Sequence, residues 1–340
     1  MLLARIRCVR ALRPILLAAG AVGLVLLVRQ LGAGQIASAL GQVRWWQFAG
    51  LCALYGLNVA IDATAWRYTL ARDVPLLKLV LARCAGEAAN ALTALASIGG
   101  EAVKAWLVRV EVPYRESIPS LILAKTAEQV AQLLLLCAGI VVAWNTAVVG
   151  PTLRAAMLWL LVGELIGVGG FVLVQVAGVA RNAGRLLSAI GFDGAACGQE
   201  LDAALRGFYR KEWRRFIVAT VLHLLGWTIG VVDAFVIMHA LGLAPSFALA
   251  TVVEALWCGV RFATFFIPAS LGPLEGASAA AFPALGITAS AGLAFTLVRR
   301  ARQLVWIGLG AAILLAMRPA RTVVGRQPSP AARGGRRLIT

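Results

Sequence analysis

A short glycine motif that ends in a glutamate occurs twice in the chain. Its copies are Ser97-Ile98-Gly99-Gly100-Glu101 and Ser270-Leu271-Gly272-Pro273-Leu274-Glu275, both within apolar sequence. Lys125 and Arg299 follow the respective glutamates by 24 residues, and Glu128 and Arg302 follow them by 27. Ionisable side chains in apolar sequence are costly unless they have a role, so this repeated pattern predicts a binding site for a transported molecule.

The glycines of both motifs favour a break between two helices. Glycine permits a tight turn, and Pro268 and Pro273 stop a helix from continuing. A helix that begins after the turn directs free N–H groups and its positive dipole end forward, which suits an anion such as a lipid phosphate. We expect Glu101 and Glu275 to cap these N–H groups, orient a basic partner or carry a proton. Capping without any contact to a substrate is the alternative for both.

Ionisable residues recur in the apolar segments with mixed signs. They are Asp62, Glu87, Glu101, Lys125, Glu128, Glu164, Asp233, Glu254, Arg261, Glu275, Arg299, Arg300 and Arg302. Pairing among themselves is therefore the alternative to substrate contact. Lys125 and Glu128, one helical turn apart, could satisfy each other. Arg299 and Arg302 could grip a phosphate with their guanidinium donors, or pair with Asp233, Glu254 or Glu275. Arg300 is expected to face elsewhere.

The composition predicts an all-α polytopic membrane protein. Hydrophobic residues make up 61% of the chain, charged residues 14%, and the mean hydropathy is +0.85. Soluble domains average about 25% charged residues. We predict about six spanning helices, because a span needs roughly 20 apolar residues and must be helical in lipid. The predicted spans are residues 15–28, 48–65, 118–143, 155–176, 216–241 and 291–316.

The net charge of +17 comes largely from basic residues that flank the predicted spans, so it does not indicate nucleic-acid binding. Basic residues lie before the first span, in a central loop at about 178–215, and in a tail at 318–340 that we expect to be disordered. This pattern places both termini and the central loop in the cytoplasm. The N-terminus also resembles a signal peptide, but Arg29 and Gln30 stand where a cleavage site should be, which favours a retained first helix.

The same charge rule predicts two inverted halves, residues 1–143 and 144–317. A re-entrant hairpin at about 79–108 would keep the basic residues on either side of it in the cytoplasm, and a second at about 245–286 would enter from the opposite side. Matching residues in the two halves, such as Pro75 with Pro245 and Cys84 with Cys258, are 170 to 174 residues apart. Inverted repeats with broken helices are a common transporter plan. Chance similarity between apolar segments is the alternative.

Several function classes have no support in the residues. The six cysteines lack metal-site spacing, and His223 and His239 stand apart from any ligand cluster, so both are expected to be interfacial or packing residues. No phosphate-binding loop, nucleophile elbow or metalloprotease motif occurs in the sequence. We expect no cofactor, no metal, no nucleic-acid partner and no ATP-driven step.

The motifs resemble those of a known family. Arg83-Cys84-Ala85-Gly86-Glu87-Ala88-Ala89-Asn90, leading into Gly99-Gly100-Glu101, resembles the first signature of flippase-like membrane proteins similar to the lysylphosphatidylglycerol synthase transmembrane region. Residues 266–275 and 297–304 resemble the second signature, with spacing most like the hopanoid-biosynthesis-associated members. The chain departs from the family at Ala94–Ala96, where a proline is usual, and at Leu274, where a glutamine is usual.

The resemblance implies a bacterial inner-membrane protein that moves or presents a lipid. The soluble aminoacyl-transferase domain of the related synthases is expected to be absent. Motifs and resemblance together give the candidate headgroup-binding residues Glu87, Asn90, Gly99, Gly100, Glu101, Lys125, Glu128, Gly272, Glu275, Arg299 and Arg302. We expect translocation of a phospholipid or hopanoid-type lipid between leaflets. The alternatives are a membrane-embedded enzyme using Glu87 with Glu101, or a scaffold that binds lipid-biosynthesis enzymes through residues 181–215.

Overall fold

The computed structural model describes residues 29, 33–92, 98–147, 149–178 and 194–317. Within these residues the chain is all-helical, which confirms the predicted class. The α-helices are, in chain order, α1 (Ala33–Gly41), α2 (Trp45–Thr69), α3 (Leu76–Leu92), α4 (Ile98–Val108), α5 (Tyr114–Trp144), α6 (Pro151–Ala177), α7 (Gly194–Lys211), α8 (Trp213–Ala240), α9 (Phe247–Ala263), α10 (Pro273–Ala284) and α11 (Ala289–Ala316). A 3-10 turn, Pro268–Ser270, lies between α9 and α10.

Four of the described helices, α2, α5, α6 and α8, are long and apolar enough to cross a membrane. They confirm four of the predicted spans and extend each by a few residues. The 25 residues of α2 rise about 38 Å, more than the roughly 30 Å of hydrocarbon. The predicted span at 291–316 is α11, a helix of 28 residues that carries three arginines. The predicted span at 15–28 and the tail at 318–340 lie outside the described residues.

The exposed face of α6 shows what surrounds the bundle. Trp159, Ile166 and Leu173 are seven residues apart and therefore share one face of the helix. They are 76%, 72% and 67% exposed. A continuous row of large exposed apolar side chains would be unfavourable in water, and hydrocarbon is its natural surrounding. The chain is a multi-pass membrane protein.

Two pairs of shorter helices lie where the re-entrant hairpins are predicted. The first pair is α3 with α4, and the second is α9 with α10. The 11 residues of α4 and the 12 of α10 rise only about 16–18 Å, too little to cross the hydrocarbon. Their lengths agree with hairpins that enter and leave on one side. The inverted orientation of the two halves and the boundary near residue 144 stay predictions.

In each half, the first hairpin helix packs against a long helix of the other half. In one contact α11 of the second half lies against α3 of the first, and in the other α5 of the first half lies against α9 of the second. Glycines allow both approaches: a Cβ on Gly310 would be 2.2 Å from the carbonyl oxygen of Cys84, and one on Gly139 would be 2.2 Å from the Ala255 Cβ. Gly139 and Gly310 are 171 residues apart, as are Cys84 and Ala255, whereas 174 residues separate Cys84 from its match Cys258. The two crossings are therefore similar in kind but differ in register from the matched residues, and the duplication stays a prediction.

The predicted cytoplasmic loop contains the helix α7, which is anchored to the bundle. The Tyr209 hydroxyl donates to the Gln175 side-chain oxygen on α6 (2.8 Å), and the Gln175 amide donates to Thr126 on α5 (2.9 Å). Burial raises the pKa of the Tyr209 phenol. Residue Thr126 is next to Lys125, so α7 rests one residue away from a predicted site residue.

Candidate functional site

A polar pocket lies where the first hairpin meets the long helices. Its charged walls come from α2, α3, α4 and α5 of the first half, and α8 of the second half supplies one histidine. The lining residues are Asp62, Trp66, Arg83, Glu101, Lys104, Leu121, Ala124, Lys125, Glu128 and His223. Its free volume of about 30 Å³ is enough for about two water molecules. A polar pocket between apolar helices is the arrangement expected for a substrate path in a membrane protein.

Each cation in the wall of the pocket is bonded to a carboxylate. The Lys104 ammonium lies 2.7 Å from Glu101 on the same helix, and the Lys125 ammonium lies 3.0 Å from Glu128. The Lys125–Glu128 pairing is the alternative that the sequence left open. Both lysines keep part of their surface accessible, so these bonds can exchange with a ligand.

Arg83 links the pocket to the acids behind it. Its guanidinium lies 3.2 Å from Asp62 on α2 and 3.2 Å from Glu87, four residues along α3. The Tyr55 hydroxyl donates to the other Glu87 oxygen at 2.6 Å. Glu87 is therefore held by two partners and lies one contact away from the pocket. Glu87 and Glu101, the two acids of the enzyme alternative, are each bonded to a cation on their own helix.

His223 is the only described pocket residue from the second half. Its Nδ1 lies 3.1 Å from the Asp62 carboxylate, and its Nε2 is buried without a hydrogen-bond partner. His223 is buried, as expected of a packing residue, and it also forms a hydrogen bond with Asp62 at a polar pocket, which the sequence interpretation did not foresee. Sequence reasoning could not place it, because its partner is 161 residues away along the chain.

Arg299 and Arg302 lie in a separate and fully buried charge cluster. Arg299 is 2.5 Å from Glu254 and 3.2 Å from Asp233, and Arg302 is bonded to Asp233. The guanidinium of Arg299 also stacks on aromatic rings, 4.8 Å from Trp257. Arg299 is 6% exposed and Arg302 is 9% exposed. The pairing alternative therefore describes the terminal nitrogens of both arginines, while the Nε of each is buried without a hydrogen-bond partner.

The second glycine motif is a closed turn. Glu275 is 0% exposed, and its carboxylate accepts from the Gly272 N–H at 2.7 Å and from Arg300 at 2.7 Å. Arg300 also donates to the carbonyl oxygens of Ala269 (2.7 Å) and Ser270 (3.2 Å). Ala269, Ser270 and Gly272 have φ values of 54°, 48° and 93°, so the turn is strained and Arg300 holds it. Arg300, expected to face elsewhere, is the partner of this motif.

The first glycine motif begins α4 with a close contact to α3. The Gly100 N–H donates to the Asn90 side-chain oxygen at 2.6 Å. A Cβ on Gly100 would lie 2.3 Å from the Gly86 carbonyl oxygen, so only glycine fits there. Gly99 lies in the same first turn. The Gly272 N–H is capped by Glu275, which is one of the roles expected for this glutamate, whereas the Gly100 N–H is taken by Asn90 and not by Glu101.

The predicted site residues accordingly separate into four places. Glu101, Lys125 and Glu128 line the pocket, with Glu87 behind it and Asn90, Gly99 and Gly100 at the α3–α4 contact. Gly272 with Glu275, and Arg299 with Arg302, are elsewhere. The matching 24-residue spacing does not correspond to matching contacts, because Glu101 is bonded to Lys104 and Glu275 to Arg300. Arg83 and Lys104 were missed, although their positions one turn from Glu87 and Glu101 are the spacing of ion pairs on a helix.

The family described as the lysylphosphatidylglycerol synthase transmembrane region matches residues 13–311. That match covers both glycine motifs and nearly all of α11. The chain belongs to this family. No curated protein and no solved structure matches the chain. Membership in the lysylphosphatidylglycerol synthase transmembrane-region family identifies a multi-pass membrane protein associated with lipids, and it confirms the resemblance on which the sequence interpretation relied.

Proposed function

We propose that the protein translocates a phospholipid or hopanoid-type lipid between the leaflets of the bacterial inner membrane, with the headgroup passing through the polar pocket. The observation that carries the proposal is the pocket itself: exchangeable ion pairs at partly exposed lysines, enclosed by helices that span a membrane. A polar headgroup that bonds to such a pair recovers part of the energy that crossing bare hydrocarbon would cost.

The proposal includes no chemical change of the lipid and no ATP-driven step. Glu87 and Glu101, the acid–base pair of the enzyme alternative, are each bonded to a cation of their own helix. The membrane lipid is the proposed partner, and lipid-biosynthesis enzymes are proposed as its source. A scaffold role would instead depend on α7 and the residues around it, and would tolerate loss of the pocket charges.

Leaflet exchange in vesicles tests the proposal directly. Purified protein is reconstituted with fluorescent phospholipids or a labelled hopanoid, and a quencher that cannot cross the bilayer reports the rate at which outer-leaflet label is replenished. We expect exchange well above that of protein-free vesicles, with recovered lipid unchanged by mass spectrometry. Chemically altered lipid would support the enzyme alternative.

Matched lysine variants connect the exchange to the pocket. Lys125→Gln removes a pocket cation that is paired with Glu128, whereas Lys78→Gln removes a cation outside the pocket that is paired with Glu111. We expect Lys125→Gln to slow exchange about tenfold or more, which corresponds to about 1.4 kcal/mol in the barrier, and Lys78→Gln to leave the rate unchanged. Equal rates in both variants, or no exchange by folded protein, would refute the proposed function.

A further inference from the structure

The charges that line the pocket are balanced. Of the described lining residues, three are cations and three are carboxylates: Arg83, Lys104 and Lys125 against Asp62, Glu101 and Glu128. Each cation already lies within 3.2 Å of a carboxylate. Among these residues no cation is left to neutralise an anionic headgroup.

An anion and a hydroxyl would meet this lining very differently. A phosphate diester or carboxylate brings a negative charge next to three carboxylates and offers only acceptors, so it gains from the lysines while it is repelled by the acids. A hydroxyl both donates and accepts, so it can bridge a lysine ammonium and a carboxylate without adding charge. Balanced ion pairs therefore favour an uncharged headgroup with several hydroxyls.

His223 adds a direct indication of what the ligand must supply. The Asp62 carboxylate, paired with Arg83, accepts hydrogen bonds only, so the His223 Nδ1 must donate to it. The Nε2 is then an acceptor in the neutral ring and an N–H donor in the protonated ring. It is buried without a hydrogen-bond partner, and His223 lines the pocket. A buried nitrogen without a partner calls for one in either state, and a hydroxyl can both donate and accept, whereas a phosphate diester can only accept.

We propose that the pocket binds the uncharged, polyhydroxylated headgroup of a lipid, such as the sugar of a glycolipid, with one headgroup hydroxyl hydrogen-bonded to the Nε2 of His223. The free volume already admits one or two hydroxyl groups in place of water. This inference rests on the proposed translocation and names the headgroup that the same pocket selects.

Exchange of lipids that differ only in the headgroup tests the proposal. The vesicles contain, in separate preparations, tail-labelled glucosyl diacylglycerol, phosphatidylcholine and phosphatidylmethanol, the last an anion without free hydroxyls. We expect the glucosyl lipid to exchange about tenfold faster than either phospholipid. Equal or faster exchange of phosphatidylmethanol or phosphatidylcholine would overturn the headgroup inference while keeping the translocation. Absence of exchange for all three would overturn the translocation as well.

A histidine variant tests the contact itself. His223→Asn removes the Nε2. It keeps a side-chain N–H that can reach Asp62, so the helix packing is largely retained. We expect it to slow the glucosyl lipid about tenfold and to leave the slower phospholipid rates unchanged. His239→Asn is the control, since His239 stacks on Phe235 away from the pocket. If His223→Asn folds poorly, the protein that remains folded is assayed. A wild-type ratio of glucosyl-lipid to phospholipid exchange in that protein would overturn the contact, and a lost ratio would support it. Equal slowing of all three lipids would contradict selection by His223.

Discussion

Tyr55 and Arg302 join the two charge clusters of the protein. The Arg302 guanidinium carbon lies 4.7 Å from the centre of the Tyr55 ring, while the Tyr55 hydroxyl donates to Glu87. Arg302 belongs to the buried cluster with Asp233, and Glu87 belongs with Arg83 at the back of the pocket. The Tyr55 ring thus lies between the two sets of charges within the bundle. It also provides a physical connection between α11 and the pocket wall.

Two substitutions at Tyr55 separate its contributions. Tyr55→Phe removes the hydrogen bond to the Glu87 carboxylate and keeps the ring against Arg302. We therefore expect the free energy of unfolding to fall by about 2 kcal/mol. Tyr55→Leu also removes the cation–π contact, which contributes about 1–2 kcal/mol when desolvated. Unfolding temperatures are measured from the change in tryptophan fluorescence on heating purified protein in detergent. They should be highest for the wild type, lower for Tyr55→Phe and lowest for Tyr55→Leu. Equal unfolding of the two variants would show that the Arg302 contact contributes nothing.

The buried arginines should differ in their effect on folding. Arg299→Met leaves Glu254 without its bonded cation, and a buried charge that has lost its partner costs about 3–5 kcal/mol. Arg302→Met costs less, because Asp233 keeps Arg299 at 3.2 Å. The yield of monodisperse protein and its unfolding temperature in detergent measure this order. The double variant Arg299→Met with Glu254→Met should recover part of the loss, since it removes both charges together.

Loss of lipid exchange without loss of stability would instead assign these arginines to the substrate path. If Arg299→Met and Arg302→Met both unfold at the wild-type temperature yet abolish lipid exchange, their donors must reach the headgroup during transport. That outcome would favour the original interpretation from the sequence, in which both arginines grip a headgroup.

The sequence predicts the helices of this protein well and its contacts poorly, for identifiable reasons. The span at 118–143 follows from an apolar run alone, because lipid requires every backbone group to be bonded within its helix. For Arg299 the sequence offers Asp233, Glu254 and Glu275 as partners without choosing among them. In the structure Arg299 pairs with Glu254 and Asp233, while Glu275 pairs with Arg300. Glu101 and Glu275 match in their motifs, yet Arg300 closes the second turn while Glu101 pairs with Lys104 beside a pocket. This difference arises from the cation that each half places beside its own glutamate, which the shared motif does not specify.

Glycines at the crossings between the halves should tolerate no side chain. Gly310→Ala places a methyl group against the Cys84 backbone, and overpacking of this kind costs about 1–3 kcal/mol. Gly308→Ala on the same helix is the control, because no atom lies within 4 Å of its added Cβ, and alanine is the better helix former. Unfolding temperatures in detergent should fall for Gly310→Ala and stay level or rise for Gly308→Ala. A normal Gly310→Ala would show that α11 and α3 are not held at this distance.

The inverted arrangement of the halves predicts opposite locations for two equivalent loops. The loop between α2 and α3 contains Ala71, and the loop between α8 and α9 contains Ala244; both residues are exposed. Charge around the first loop places it in the cytoplasm, so the second should lie on the other side. Single cysteines at Ala71 and Ala244, in a chain without its own cysteines, are labelled in intact cells by a thiol reagent that cannot cross the inner membrane. We expect labelling of Ala244→Cys in intact cells and of Ala71→Cys only after lysis. Labelling of both from the same side would mean that the second hairpin enters from the cytoplasm, and the halves would then be parallel rather than inverted.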